Sequence, residues 1–291
     1  MVSPPLTARP AAVLAWWEPV RRDLPWRQTR DPWAVLVCEV MAQQTQVARV
    51  AERWGPFVER FPTPAALAAE PLAEVIRWWR GLGYNRRAVN LHRAATAMVE
   101  HHGGRVPDDL GGLLALPGIG AYTARAVLAF AFEQDHGIVD TNTARVLARW
   151  AGERLGPRAV QHAADAHVPR GQAWAWNQAM LDLGATVCLR RDPRCGDCPA
   201  TEHCSWWSDG RSEPDPANGT TGVSGGQATF AGSDREGRGR LVDALRTRDL
   251  TTGELAEAMG WPDDPARAER VAVTLIADGL VTAGDSTYRL A

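Results

Sequence analysis

The chain is 291 residues long, 45% hydrophobic and 23% charged, with a formal net charge of -2. Its length suits one sizeable core plus a small extra domain, since domains run to roughly 100 to 200 residues. No apolar run approaches the roughly 20 residues needed to cross a bilayer, which excludes a helical membrane protein.

The N-terminal stretch MVSPPLTARPAAVLAWW lacks a basic start, a sustained apolar core and a small-residue cleavage site, so a cytoplasmic protein is expected. With so little net charge, any DNA contact must come from local basic clusters and backbone donors. From Ala11 to about Trp207 the chain reads as consecutive helices. AAVLAWWEPV, AVLVCEVMAQQTQVARVAERW, AALAAEPLAEVIRWWRGL, RRAVNLHRAATAMVEHHG, LGGLLAL, YTARAVLAFAF and TARVLARWAG carry apolar residues at helical spacing between Pro and Gly stops. The thirteen tryptophans are assigned mostly to helix packing. Residues 208–234 are rich in Gly, Ser, Pro and Asp and read as a flexible linker. Residues 235–291 read as three short helices and a hairpin, the order of a winged-helix-like module, with Thr251 and Glu254 spaced as a capping box.

Glu39 interrupts the apolar run AVLVCEVMA, where desolvation favours the protonated state needed of a general acid; a surface ion pair is the alternative. Cys38 beside it reads as a buried free thiol. Gln43 and Gln44 continue the Glu39 face as amides able to probe a base pair. In LPGIGAYTA, Gly118 and Gly120 permit backbone angles closed to other residues, and a helix starts at once behind them. Its free N–H groups suit a DNA phosphate, although a plain helix-turn-helix connection would look the same. Asp140 precedes a helix and can cap it while serving as an ionised carboxylate. An acid and a carboxylate in one pocket is the pattern of glycoside cleavage.

Cys188, Cys195, Cys198 and Cys204 are spaced C-x6-C-x2-C-x5-C, and a cytosolic cluster of this kind points to metal rather than disulfides. Spacing leaves zinc and a 4Fe-4S cluster open. Arg190, Arg191 and Arg194 make the loop between the first two cysteines basic, as a phosphate contact or a solvated surface.

In series, LPWR, EVMAQQTQV, GLGY, LPGIGAYTA, VDTNTARVL, NQAMLDLGATVC and the cysteine cluster resemble the helix-hairpin-helix DNA glycosylase superfamily, and within it the MutY-type adenine DNA glycosylases, over roughly residues 11–207. The resemblance implies an all-α, two-lobed helix-hairpin-helix glycosylase fold over 1–207, a 4Fe-4S cluster on the four cysteines, and a monomer acting on double-stranded DNA. The reaction implied is removal of adenine mispaired with 8-oxoguanine or guanine. By position, Glu39 matches the acid that protonates adenine, Asp140 the carboxylate that stabilises the sugar cation, and Tyr122 and Asn142 the residues assisting there. Arg22, Leu24, Trp26, Arg27 and Gln178 match the adenine pocket, Gln178 standing where family members carry Glu. Gln43, Gln44, Thr45 and Tyr84 match the segment that probes the duplex, with Gln44 and Tyr84 as its wedges, and Gly118, Ile119 and Gly120 match the hairpin on the DNA backbone.

Thr141 replaces the glycine of the family's DGN, and the tail is too short for the Nudix-like domain of longer members. An endonuclease III-like lyase needs a lysine where Tyr122 stands, and the chain contains no lysine. A thymine mismatch glycosylase and a non-catalytic iron-sulfur DNA-binding regulator remain the alternatives.

Overall fold

Apolar residues at three- and four-residue spacing, stopped by Pro and Gly, make the chain a succession of helices. The computed structural model describes residues 8–223 and 229–291. The first residues of the segment read as lacking a secretory signal, and residues 224–228 of the expected linker, lie outside them. In chain order come α1 (Ala8–Val20), α2 (Pro32–Ala42), α3 (Val47–Arg60), α4 (Pro64–Ala68), α5 (Leu72–Trp78), α6 (Arg86–His101) and α7 (Leu110–Ala115). They are followed by α8 (Ala121–Ala131), α9 (Thr141–Ala151), α10 (Pro157–Ala166), α11 (Ala173–Thr186) and α12 (Ser205–Ser208). The C-terminal part holds α13 (Asp234–Leu245), β1 (Leu250–Thr251), α14 (Leu255–Met259), α15 (Pro265–Ala277), β2 (Val281–Ala283) and β3 (Thr287–Leu290). Among the described residues no helix is long and apolar enough to cross a membrane.

Two segments read as single helices are broken. Pro71 separates α4 from α5, standing as the N-cap of α5 with ψ 137°, outside the helical range. The second break, between α2 and α3, has a side-chain cause: Arg87 donates to the carbonyls of Val40, Met41 and Gln43, and Gln44 turns to φ 53°. Gln43 and Gln44 therefore sit in a turn and do not extend the helical face of Glu39.

The described residues form two units, one of 8–35, 108–110 and 120–223, the other of 36–107, 111–119 and 229–291. In the first, Val13 and Trp17 of α1, Val146, Leu147 and Trp150 of α9, and Trp176, Met180 and Leu183 of α11 share a core. α11 comes close to the start of α9 at Gly184, where a Cβ would meet Asn142 Cβ at 2.5 Å. Part of the expected linker is anchored to this unit. Asp215 bonds Arg149 at 2.6 Å, Leu155 N donates to Thr220 Oγ1 at 3.0 Å, and Ala217 is buried. Composition signalled flexibility there, but these polar residues satisfy one another and the neighbouring backbone.

In the second unit, Ile76 of α5 and Val89 of α6 are buried with Leu241 and Leu245 of α13, Leu255 and Met259 of α14, and Val271 and Leu275 of α15. Helix, helix, helix and hairpin follow in the expected order, and the antiparallel sheet runs β1-β3-β2. Its short first strand, Leu250–Thr251, is an addition to that expectation, pairing Leu250 with Tyr288. Glu254 accepts from Thr251 N at 2.8 Å, as the capping-box spacing requires.

Candidate active site

α9 begins at Asp140 because that carboxylate accepts from the free N–H groups of Asn142 and Thr143, at 2.9 and 2.7 Å. Asn142 Nδ2 adds a third bond, to Asp140 Oδ2 at 3.1 Å. Burial pushes the Asp140 carboxyl above its ordinary range, although these bonds favour the anion. Burial thus opposes the capping bonds that the sequence suggests keep this carboxylate ionised. Asn142 is in turn fixed by Arg145, which donates to Asn142 Oδ1, to the Gly184 carbonyl and to the Cys188 carbonyl at 2.8, 2.6 and 2.7 Å.

In the same unit a buried carboxylate, Asp182, organises the segment that follows α1. Arg27 grips it with both terminal nitrogens, at 2.8 and 2.9 Å, Arg22 adds a bond at 2.6 Å, and Trp17 Nε1 a fourth contact at 2.8 Å. Burial would raise the Asp182 carboxyl, but the bonds from Arg27 and Trp17 and the charges of Arg27 and Arg22 hold it below the usual range. Arg27 Nε also donates to Gln178 Oε1 at 2.7 Å. A guanidinium only donates, so the Gln178 amide is oriented with its oxygen toward Arg27 and its NH2 group directed elsewhere. Leu24 and Trp26 lie beside them, half-buried on the turn Pro25–Gln28, where Arg27 N donates to the Leu24 carbonyl.

The hairpin uses its glycines unequally. Gly118 has φ 76°, and a Cβ there would meet Asn90 Cβ at 2.6 Å. Gly120 has φ -94°, an angle open to any residue, and faces open space as the N-cap of α8. This corrects the expectation that both need glycine for their angles. At Gly120 no side chain caps the helix. Ile119 between them is buried, and Tyr122 follows on the first turn of α8, half-buried.

In the second unit Glu39 is 7% exposed on α2 beside Cys38, whose thiol burial pushes well up, helped by the Glu39 charge. Arg87 joins two turns here. Beyond the carbonyls after Glu39, it donates to Thr45 Oγ1 and to the carbonyls of Leu82 and Gly83, at 2.9, 3.0 and 3.0 Å. Burial lowers this guanidinium to about 10. The turns carry Gln44 at φ 53° and Tyr84 at φ 44°, both exposed. A non-glycine residue in that region costs about 1–2 kcal/mol, so each turn needs the anchoring Arg87 gives it.

Cys188, Cys195, Cys198 and Cys204 line one cavity with Val187, Trp206 and Arg149. Arg149 Nη1 lies 3.3 Å from Cys188 Sγ, and the Cys204 thiol faces the Arg149 carbonyl at 3.3 Å. Burial raises the thiols of Cys195 and Cys198, and that of Cys204 to about 11, with the other cysteines adding to it. Among the described residues no group of three or more Cys, His, Asp or Glu side chains is arranged to hold a single metal ion. Arg190, Arg191 and Arg194 are exposed on the loop above.

Residues 37–170 match the family described as HhH-GPD superfamily base excision DNA repair protein. The chain is 43% identical over 277 residues to the adenine DNA glycosylase of Mycobacterium tuberculosis H37Rv, covering 93% of this chain and 89% of that protein. The chain belongs to the HhH-GPD superfamily of base excision DNA repair proteins. The adenine DNA glycosylase of Mycolicibacterium smegmatis is 42% identical over 294 residues, or 98% of this chain and 97% of that one. A solved thermostable thymine-DNA glycosylase superposes with a TM-score of 0.66 at 31% identity, over 69% of this chain and 95% of that chain.

The protein is therefore a DNA glycosylase, and its substrate is DNA. The glycosylase holds its polar residues by buried arginines that the sequence reading passed over. Arg87, Arg145 and Arg149 are each under 9% exposed. Arg145 and Arg149 stand four apart in ARVLARW, on a face packed into the core, and that placement was the available clue. Asp182, one turn beyond Gln178, was missed for the same reason.

Proposed function

We propose that this glycosylase hydrolyses the N-glycosidic bond of adenine mispaired with 8-oxoguanine or guanine and leaves an abasic site. The observation that carries the reading is the setting of its two carboxyls. Glu39 stands buried in an apolar helix wall, and Asp140 accepts three hydrogen bonds that favour its anion. In this reading Glu39 protonates the departing adenine and then assists water, while Asp140, steadied by Asn142 and aided by Tyr122, stabilises the sugar cation. Without any lysine the chain has no side-chain amine to form a Schiff base at the position of Tyr122, so the reaction stops at base release.

Arg22, Leu24, Trp26, Arg27 and Gln178 receive the extruded adenine, and the Gln178 NH2 group supplies a donor where a Glu would only accept. Gln44 and Tyr84 enter the duplex, with Gln43 and Thr45 in the supporting turn, and the hairpin residues Gly118, Ile119 and Gly120 before α8 contact the DNA backbone. The four cysteines hold a 4Fe-4S cluster. The donor set fits: four thiols line one cavity, those of Cys195, Cys198 and Cys204 raised by burial, and four thiolates so close together call for a positive centre among them. The cluster supplies structure, pinning the basic loop of Arg190, Arg191 and Arg194. We assign the enzyme to the cytoplasm, where such thiols stay reduced, as a monomer.

The likeness to the thermostable thymine-DNA glycosylase favours a second reading, excision of thymine from mismatches. A single-turnover panel on A:8-oxoguanine, A:G and T:G duplexes separates them. Adenine release supports the proposal, and release of thymine alone overturns it.

A further inference from the structure

The C-terminal part, α13 to β3, has no role in the reading above, yet it grips both helices that flank the Tyr84 turn. Ile76 near the end of α5 and Val89 in the second turn of α6 are fully buried in its core. Between those helices runs the turn 79–85, with Gly81, Gly83 and Tyr84 all at positive φ. Arg246, the residue that ends α13, spans the mouth of this turn. Its Nε donates to the Ile76 carbonyl at 3.2 Å, and its Nη2 to Asn85 Oδ1 at 3.0 Å. Its Nη1 pairs with Asp243. The Ile76 carbonyl is among those at the end of α5 with few donors in its own helix, and Asn85 is the N-cap of α6, so Arg246 ties the residues on either side of the turn. Asp278 after α15 repeats the link, pairing with Arg86 at 3.2 Å and Arg238 at 2.5 Å.

The Arg246 side chain is only 6% exposed, so it does not face a duplex backbone; it acts through Asn85. Tyr84 is the neighbour of Asn85, is 43% exposed and is held in a left-handed conformation. Arg87 fixes the turn from within, at the Leu82 and Gly83 carbonyls, and Arg246 fixes it from the C-terminal side. A backbone angle that the residue itself disfavours persists only where its surroundings enforce it, so loosening either anchor releases the ring.

We propose that the C-terminal module is a working part of base probing, in which Arg246 is a positioning residue that holds Tyr84 through Asn85. This rests on the reading of Tyr84 as a wedge into the duplex. The module then acts by setting the pose of that wedge, and a base-reading domain of its own is not required for this contribution.

The test uses the full-length protein and a duplex carrying 2-aminopurine beside an A:8-oxoguanine pair, whose fluorescence rises as the bases unstack. Tyr84→Ala, Arg246→Ala, Asn85→Ala and the doubles with Tyr84→Ala are compared for unstacking amplitude, single-turnover rate and affinity for undamaged duplex. Asn85→Ala leaves the module core untouched, so a folding defect of Arg246→Ala does not decide the outcome. Arg246→Ala and Asn85→Ala are each expected to lower amplitude and rate about fivefold, with little change in affinity for undamaged duplex, and to add little to Tyr84→Ala. Wild-type behaviour of Asn85→Ala while Tyr84→Ala is impaired overturns the inference and leaves the wedge reading intact. Losses fully additive with Tyr84→Ala also overturn it. An unimpaired Tyr84→Ala overturns the wedge reading and the inference together.

Discussion

Arg145 holds Asn142 from behind, its Nη2 lying 2.8 Å from Asn142 Oδ1, while its Nε reaches the carbonyl of Cys188, a residue of the cysteine loop, at 2.7 Å. One guanidinium thus joins the residue that steadies Asp140 to the first of the four cysteines. Arg145→Met keeps an unbranched apolar stem but leaves three acceptors, one buried and two partly buried, without this donor. A buried acceptor left unmade costs about 1–3 kcal/mol, so a loss of about 2–4 kcal/mol is expected in urea unfolding. Excision in single turnover should slow about tenfold as Asn142 loses its orientation.

Asp140 ties activity to stability through its charge. Burial raises its carboxyl above the ordinary 3.8, so the folded protein keeps this proton to a higher pH than the unfolded chain does. The stability contributed by the protonated group is fully present below the unfolded value and is lost as pH rises through the folded one. Asp140→Asn retains an N-capping side chain and removes a buried charge. At neutral pH it should raise Tm by about 2–4 °C, for about 1 kcal/mol, while adenine release is lost. Scanning calorimetry at pH 4 and pH 7 checks the sign: the gain should shrink at the lower pH.

Asp182 has the opposite linkage. Its carboxyl is held low by Arg27, Trp17 and Arg22, so its contribution to stability is present above the unfolded carboxylate value and is lost as pH falls through the folded one. Arg27→Ala strips two bonds from a side chain that is 3% exposed. A loss of about 3–5 kcal/mol at neutral pH is expected, and acid unfolding should begin at a higher pH than in the wild type.

The hairpin glycines should separate folding from DNA binding. Gly118→Ala places a Cβ against Asn90 at a positive φ and should lower stability by at least about 1–2 kcal/mol. Gly120→Ala meets nothing within 4 Å and has an ordinary backbone angle. Its stability should fall by no more than about 1 kcal/mol, the difference between Gly and Ala at an N-cap. Fluorescence anisotropy should nevertheless show weaker duplex binding, because the methyl group stands where the phosphate would approach.

Much of the helical order was legible because apolar spacing and Pro or Gly stops are local features. The order of helices and hairpin in the C-terminal part was legible for the same reason, down to the capping box of Thr251 and Glu254. The breaks were harder. The stop after Ala42 is imposed by Arg87, more than forty residues later in the chain, and no local pattern around Gln43 announces it. The polar residues beneath the site were hidden in the same way. Arg145 and Asp182 sit in runs whose composition suggests ordinary helix surface, and their burial exists only because α9 and α11 pack closely at Gly184. The expected linker failed over its first part because Asp215 and Thr220 find specific partners that composition cannot name.

The central claim is that Glu39 and Asp140 divide the work of releasing adenine. It is tested most directly by single-turnover excision from an A:8-oxoguanine duplex with Glu39→Gln and Asp140→Asn, alongside gel-shift binding of the same duplex. The account predicts that both variants bind the duplex with near wild-type affinity and release adenine at least about a hundredfold more slowly. A wild-type excision rate in either variant would contradict it.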